Sequence, residues 1–153
     1  MPVDQAALQS AQQYAQDHSE AWLTLRCLEA LAELALVAGD ADGCITHADQ
    51  LLALASRGNL RELIGQAHRL RGLAWFAGNA YDSARQELTL ALTQAGQIGC
   101  IRLAWQCHRA LARAAAAFGD EADKNDSEAR ALHCQIVDSL RGSGLTANLE
   151  AAQ

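Results

Sequence analysis

The chain has 153 residues, half of them apolar and one fifth charged, with 12 basic against 18 acidic side chains and a formal net charge of -6. That balance fits a folded soluble chain and argues against nucleic acid as a partner, because phosphate binding needs clustered cations. No apolar run approaches the roughly 18 residues of a membrane span, and the first residues, MPVDQAALQS, lack a secretory signal, so no membrane partner and a cytoplasmic location are expected.

The composition favours helices. The sole proline is Pro2, alanine and leucine dominate, and aromatic and β-branched residues are sparse. Residues 4–17 read as a helix that Asp4 caps, with Leu8, Ala11 and Ala15 on one stripe. Ser19 is placed to cap the next run, residues 20–38, which stops at Gly39-Asp40. Four further runs follow: 41–56 to Gly58-Asn59, 60–77 to Gly78-Asn79, 80–98 to Gly99, and 101–118 to Gly119-Asp120. A last run, 121–140, stops near Gly142 and Gly144. Glycine just past a helix is the usual left-handed stop.

Two markers recur. Ala38-Gly39-Asp40, Ala77-Gly78-Asn79 and Phe118-Gly119-Asp120 stand 39 and 41 residues apart, and Gly58-Asn59-Leu60-Arg61 matches Gly99-Cys100-Ile101-Arg102 at 41. The pattern predicts an all-α chain of about six to seven helices, built from stacked helix pairs that bury each other's apolar faces. The expected organisation is an N-terminal helix in 1–19, helix pairs at 20–58, 60–98 and 101–141, and a flexible tail at 142–153.

The middle pair, with Gly72-Leu73-Ala74-Trp75, Gly78 and Tyr81-Asp82-Ser83-Ala84, resembles a tetratricopeptide repeat. Gly72 matches the small residue where the paired helices cross, Trp75 the large first-helix residue, and Tyr81, Ala84, Leu88 and Ala91 the second-helix positions. Arg71 stands where the family has leucine; Glu33 and Arg113 take the place of Gly72 in the flanking units, and Asn125 that of Ala84. The period is longer than the usual 34 and is similar to arrays in large bacterial signalling proteins, ATPase regulators and nucleotide-cyclase relatives among them. The stretch Leu103 to Leu111 looks like the penultimate helix of such arrays.

The resemblance implies an α-α superhelix that binds a protein or peptide along its concave face, lined by the first helix of each pair. Carried across, that face holds Cys27, Ala30, Leu34, Val37 and Ala38, then Gln66, Arg69, Leu73, Phe76 and Ala77, then Cys107, Ala110, Ala114, Ala117 and Phe118. Small side chains beside two phenylalanines would form a shallow apolar groove for a partner helix. The same face would serve equally as a seat for the N-terminal helix or for a second copy in a homodimer. The expected binding set is Gln66, Arg69, Leu73, Phe76, Ala110, Ala114 and Phe118. Arg69 and Arg71 form a cationic spot that either receives a carboxylate or pairs with neighbouring acids.

Catalytic residues are not expected. Five cysteines, Cys27, Cys44, Cys100, Cys107 and Cys134, show no C-x-x-C spacing, so reduced thiols rather than a disulfide framework or zinc site are expected. The neighbours Cys107-His108 and His133-Cys134 point in different directions on a helix and have no further ligands at metal-site spacing. The acids Glu121, Asp123, Asp126 and Glu128 lack the order of a calcium loop. No glycine-rich phosphate loop occurs, so no cofactor is expected.

Overall fold

The computed structural model describes residues 5–17 and 20–118 and, beyond them, 127, 128, 130, 131, 133–135 and 138. Six helices occupy the continuous part: α1 (Gln5–Asp17), α2 (Ala21–Val37), α3 (Ala41–Arg57), α4 (Arg61–Ala77), α5 (Tyr81–Ile98) and α6 (Ile101–Phe118). Among the described residues there is no strand. Asp4 and Ser19, expected to cap helices, the tail at 142–153, and most of 121–140 lie outside the described residues. The cap of α2 is Glu20, one residue after Ser19.

From α2 onward, the helices begin 20 residues apart, at 21, 41, 61, 81 and 101. The turns between them are alike. Residues Gly39, Asn59, Asn79 and Gly99 each take a left-handed backbone, with φ of 80°, 50°, 60° and 64°. The next residue in each turn, Asp40, Leu60, Ala80 or Cys100, donates its N–H back to the carbonyl five residues earlier at 2.9 Å. The left-handed residue donates its own N–H to the carbonyl three residues earlier at 3.0 to 3.4 Å, and the two bonds together close the helix end as a Schellman motif does. The same four residues then accept the first bond of the following helix, from Cys44, Ile64, Ala84 and Ala104. Only at Asp40 does the side chain add a cap, its carboxylate accepting the Gly43 N–H at 2.8 Å.

This spacing corrects the register of the repeat. The left-handed position matching Gly39 is Asn79, not Gly78, whose φ is -82°. The interval is therefore 40 throughout, where the glycine markers give 39 and 41. The equivalents of Gly72 become Ala32 and Ala112, both small, instead of Glu33 and Arg113.

A turn this short reverses the chain, so successive helices pack antiparallel. The seams between them are apolar. On α3, Cys44, Ala48, Leu51 and Ala55 are fully buried; on α5, forty residues later, so are Ala84, Leu88, Ala91 and Ala95. The stripe of α3 joins Leu25, Leu28, Leu63, Ala67 and Leu70 in the largest core cluster. The tightest seam is α4 against α5. A Cβ on Gly72 would stand 2.7 Å from Leu88 Cγ and 3.2 Å from the Ala84 carbonyl oxygen. A Cβ on Gly65, about two turns earlier, would approach Leu103 and Gln94 as closely, at 2.5 and 3.3 Å.

The even-numbered helices also touch each other, α2 with α4 and α4 with α6, whereas α1, α3 and α5 make no comparable approach among themselves. The structure thus has an inner layer of α2, α4 and α6 and an outer layer of α1, α3 and α5.

Candidate functional site: the inner helix layer

The inner layer is held by polar side chains that reach across helices. Arg69 on α4 donates from Nε to Gln66 Oε1 at 2.7 Å and from a terminal nitrogen to Glu33 Oε1 on α2 at 2.9 Å. Gln66 in turn donates to Gln106 Oε1 on α6 at 3.5 Å. One turn toward the start of α4, Glu62 meets Arg102 of α6 at 3.0 Å. Both of these α4–α6 pairs link residues 40 apart. Gln66 and Arg69 are themselves buried, so they serve as struts rather than as open contacts.

The second half of the cationic spot is also occupied. Glu87 on α5 holds His68 Nδ1 at 2.7 Å with one oxygen and Arg71 at 3.1 Å with the other. The Arg71 Nε lies 3.4 Å from Asp49 of α3, without the angle of a hydrogen bond. This cluster ties α3, α4 and α5 together. A similar pair, His108 Nδ1 to Glu128 at 3.0 Å, ties α6 to the segment beyond it. Of the two alternatives for Arg69 and Arg71, pairing with acids inside the chain is the one adopted.

The other expected groove residues divide. Ala110 and Ala114 are buried, and Leu73 packs half-buried against Leu88, Ala110 and Leu111. Phe76 is half-buried, with Tyr81 edge-on at 5.6 Å between centroids. Phe118 ends α6, and its side chain lies outside what is described. In the first unit, Cys27 is buried and Ala30 and Leu34 are half-buried, whereas Val37 is exposed.

The 40-residue register moves the face by one residue on α2 and α6. One residue is about 100° of helix rotation. On α6 that replaces Ala110 and Ala114 by Arg109 and Arg113, both exposed; on α2 it replaces Cys27, Ala30 and Leu34 by Arg26, Glu29 and Glu33. The inner face is therefore charged over its first positions, with aromatic supports, and apolar only toward the helix ends at Leu36, Val37, Ala116 and Ala117, where an apolar groove throughout is expected from the 39- and 41-residue spacing. Arg26 lies 4.8 Å over the Trp22 ring, Arg109 5.2 Å over Trp105, and Arg113 of α6 5.8 Å over Phe76 of α4. The signal was present in the sequence as Arg102, Gln106, Arg109 and Arg113, spaced by four, three and four on one helix stripe.

All five cysteines are free thiols. Burial pushes Cys44 up to about 11 and Cys107 up to about 12, and raises Cys27 as well. Thiols held protonated in this way are poor nucleophiles at neutral pH. Among the described residues no three histidine, cysteine or carboxylate side chains converge as a metal ion would require, and no helix is long and apolar enough to cross a membrane. Comparison of the chain with protein-family models, with curated proteins and with solved structures finds no match.

Proposed function

We propose that this chain is a protein-interaction module of tetratricopeptide-like helix pairs, with its partner held on the inner face of α2, α4 and α6. The observation that carries the reading is the exposed stripe of α6, where Arg109 and Arg113 lie over aromatic rings beside the half-buried Leu73 and Phe76. Arginine and aromatic side chains set side by side are the composition of protein-binding hot spots. The even 20-residue advance of the helices supports the repeat reading, since such stacks form extended binding surfaces. Binding rather than catalysis is the role proposed, as a scaffold or regulatory part of a bacterial signalling system, the setting the resemblance implies.

The test compares two faces. Replacing Arg109 and Arg113 together by glutamate is expected to abolish capture of protein partners from a cell extract, while Arg57→Glu and Arg85→Glu, on α3 and α5, leave it intact. Loss of capture by both sets, or by neither, removes the inner face from the reading.

A second reading, self-association, is favoured by exposed apolar side chains at Trp22, Val37, Leu90, Ile98 and Ile101. Light scattering of the full chain separates the two: a stable dimer that Val37→Glu turns into a monomer would put self-association first.

A further inference from the structure

We infer that the Arg109–Arg113 stripe of α6 receives an acidic peptide, two of whose carboxylates are held by the two ring-stacked guanidiniums. This deepens the inner-face reading and rests on it. The argument begins with charge. Helix α6 carries three arginines and no acid in 18 residues, inside a chain whose net charge is -6. Five other arginines are matched: Arg26 with Glu29, Arg69 with Glu33, Arg71 with Glu87, Arg85 with Asp82, and Arg102 of α6 itself with Glu62. Arg61 meets the amide of Gln97, and Arg57 meets neither a carboxylate nor an aromatic ring among the described residues. Among the described residues, no carboxylate meets Arg109 or Arg113; each has an aromatic face instead. Both are exposed.

The geometry selects the anion. A guanidinium lying over a ring keeps its N–H edge turned outward, is weakly hydrated, and has already lost part of its rotamer freedom, so a carboxylate gains two bonds at low cost. Residues four apart on a helix are separated by about 6 Å along its axis. Alternate residues of an extended peptide are about 6.8 Å apart. Acidic residues at every second position therefore match the two arginines, and the residues between them turn to the opposite face, away from α6. A polyphosphate is disfavoured, because a continuous anionic backbone needs clustered cations, and this chain has a net charge of -6 and offers two ring-backed guanidiniums here.

The test is fluorescence anisotropy on the full chain, with a labelled, end-blocked heptapeptide of alternating glutamate and leucine or phenylalanine, its glutamine counterpart, and a single-stranded oligothymidylate. The glutamate peptide is expected to bind, more weakly as salt rises, and to lose at least about tenfold in affinity to the Arg109→Gln, Arg113→Gln pair. Arg85→Gln on α5 should leave affinity unchanged. If the glutamine pair lowers the melting temperature, the Arg109→Lys, Arg113→Lys pair provides the second arm, and binding intermediate between wild type and glutamine is expected from a retained charge without the fork. Absence of glutamate-peptide binding, binding indifferent to the arginine variants, or tighter binding of oligothymidylate would overturn the inference. Equal binding of glutamate and glutamine peptides that is lost in Phe76→Ala would also overturn it, yet would leave the inner-face reading standing; binding indifferent to Phe76 as well would remove both.

Discussion

Helix α4 presents two unlike faces. Toward α5 it is stripped to glycine at Gly65 and Gly72 against the buried Ala84, Leu88, Ala91 and Ala95, with the Glu87 cluster at the edge of that seam. Toward α2 and α6 it offers Glu62, Gln66 and Arg69, each bonded across the layer. The first seam gains its free energy from removing apolar surface and from dispersion at close approach. The second gains little net free energy per bond, because each replaces a bond to water, but an unmet partner there is costly. The apolar seam sets how stable the stack is. The polar seam sets which residue faces which, and so which arginines reach solvent.

The largest effect should come from Gly72. Leucine there would drive a side chain into Leu88 and the backbone of α5, and is expected to cost at least about 3 kcal/mol in urea melts. Alanine is not benign either. The helix preference for alanine is worth about 1 kcal/mol, and the clash with the Ala84 carbonyl should outweigh it. Gly65→Ala should be the milder of the two, since its closest neighbour is the movable end of Leu103. A Gly72→Ala variant as stable as wild type would show that the seam is looser than described.

The polar face should respond next. Arg69→Met removes the buried guanidinium and leaves the Gln66 carbonyl and Glu33 without it, at an expected cost of about 1–3 kcal/mol. Glu33→Ala should cost a similar amount, because it leaves the Arg69 guanidinium, only 11% exposed, without its carboxylate. A loss from Arg69→Met alone would mean that the bond to Gln66, rather than the ion pair, carries the energy.

This contrast also explains what the sequence makes legible. Helices, their stops and their pairing follow from composition and from glycine and asparagine at the turns. The register does not, because glycine is the usual left-handed residue and Asn79 took that role while Gly78 beside it did not. A reading keyed to glycine is then off by one residue, and one residue is a quarter-turn of face. Gly65 sits between Ile64 and Gln66 with no local turn signal; its reason is Leu103, which only the folded stack brings near. The partner of Arg69 lies 36 residues away, beyond any pattern along a single helix.

The smallest effect concerns alkali. Cys44 and Cys107 belong to the apolar seams, and burial moves their thiols from an ordinary 9.0 up to about 11 and about 12. In the unfolded chain these thiols ionise first, so it binds fewer protons than the folded chain above about pH 9. Their contribution to stability is full below pH 9 and falls as pH rises through 11 to 12. Urea midpoints should therefore decline in that window, and Cys44→Ala with Cys107→Ala should flatten the decline. At pH 8 the exposed Cys134 should react with a thiol reagent well before either.

The turns have a further consequence. At Asp40, Leu60, Ala80 and Cys100 a single residue finishes one helix and starts the next, so the joints contain no slack. A one-residue insertion at such a joint cannot be absorbed in a loop; it would swing every later helix by about 100° and turn its buried stripe toward water. Length variation in this architecture is thus quantised. A descendant of this chain can gain or lose links of 40 residues, one helix pair, far more readily than it can gain or lose one residue.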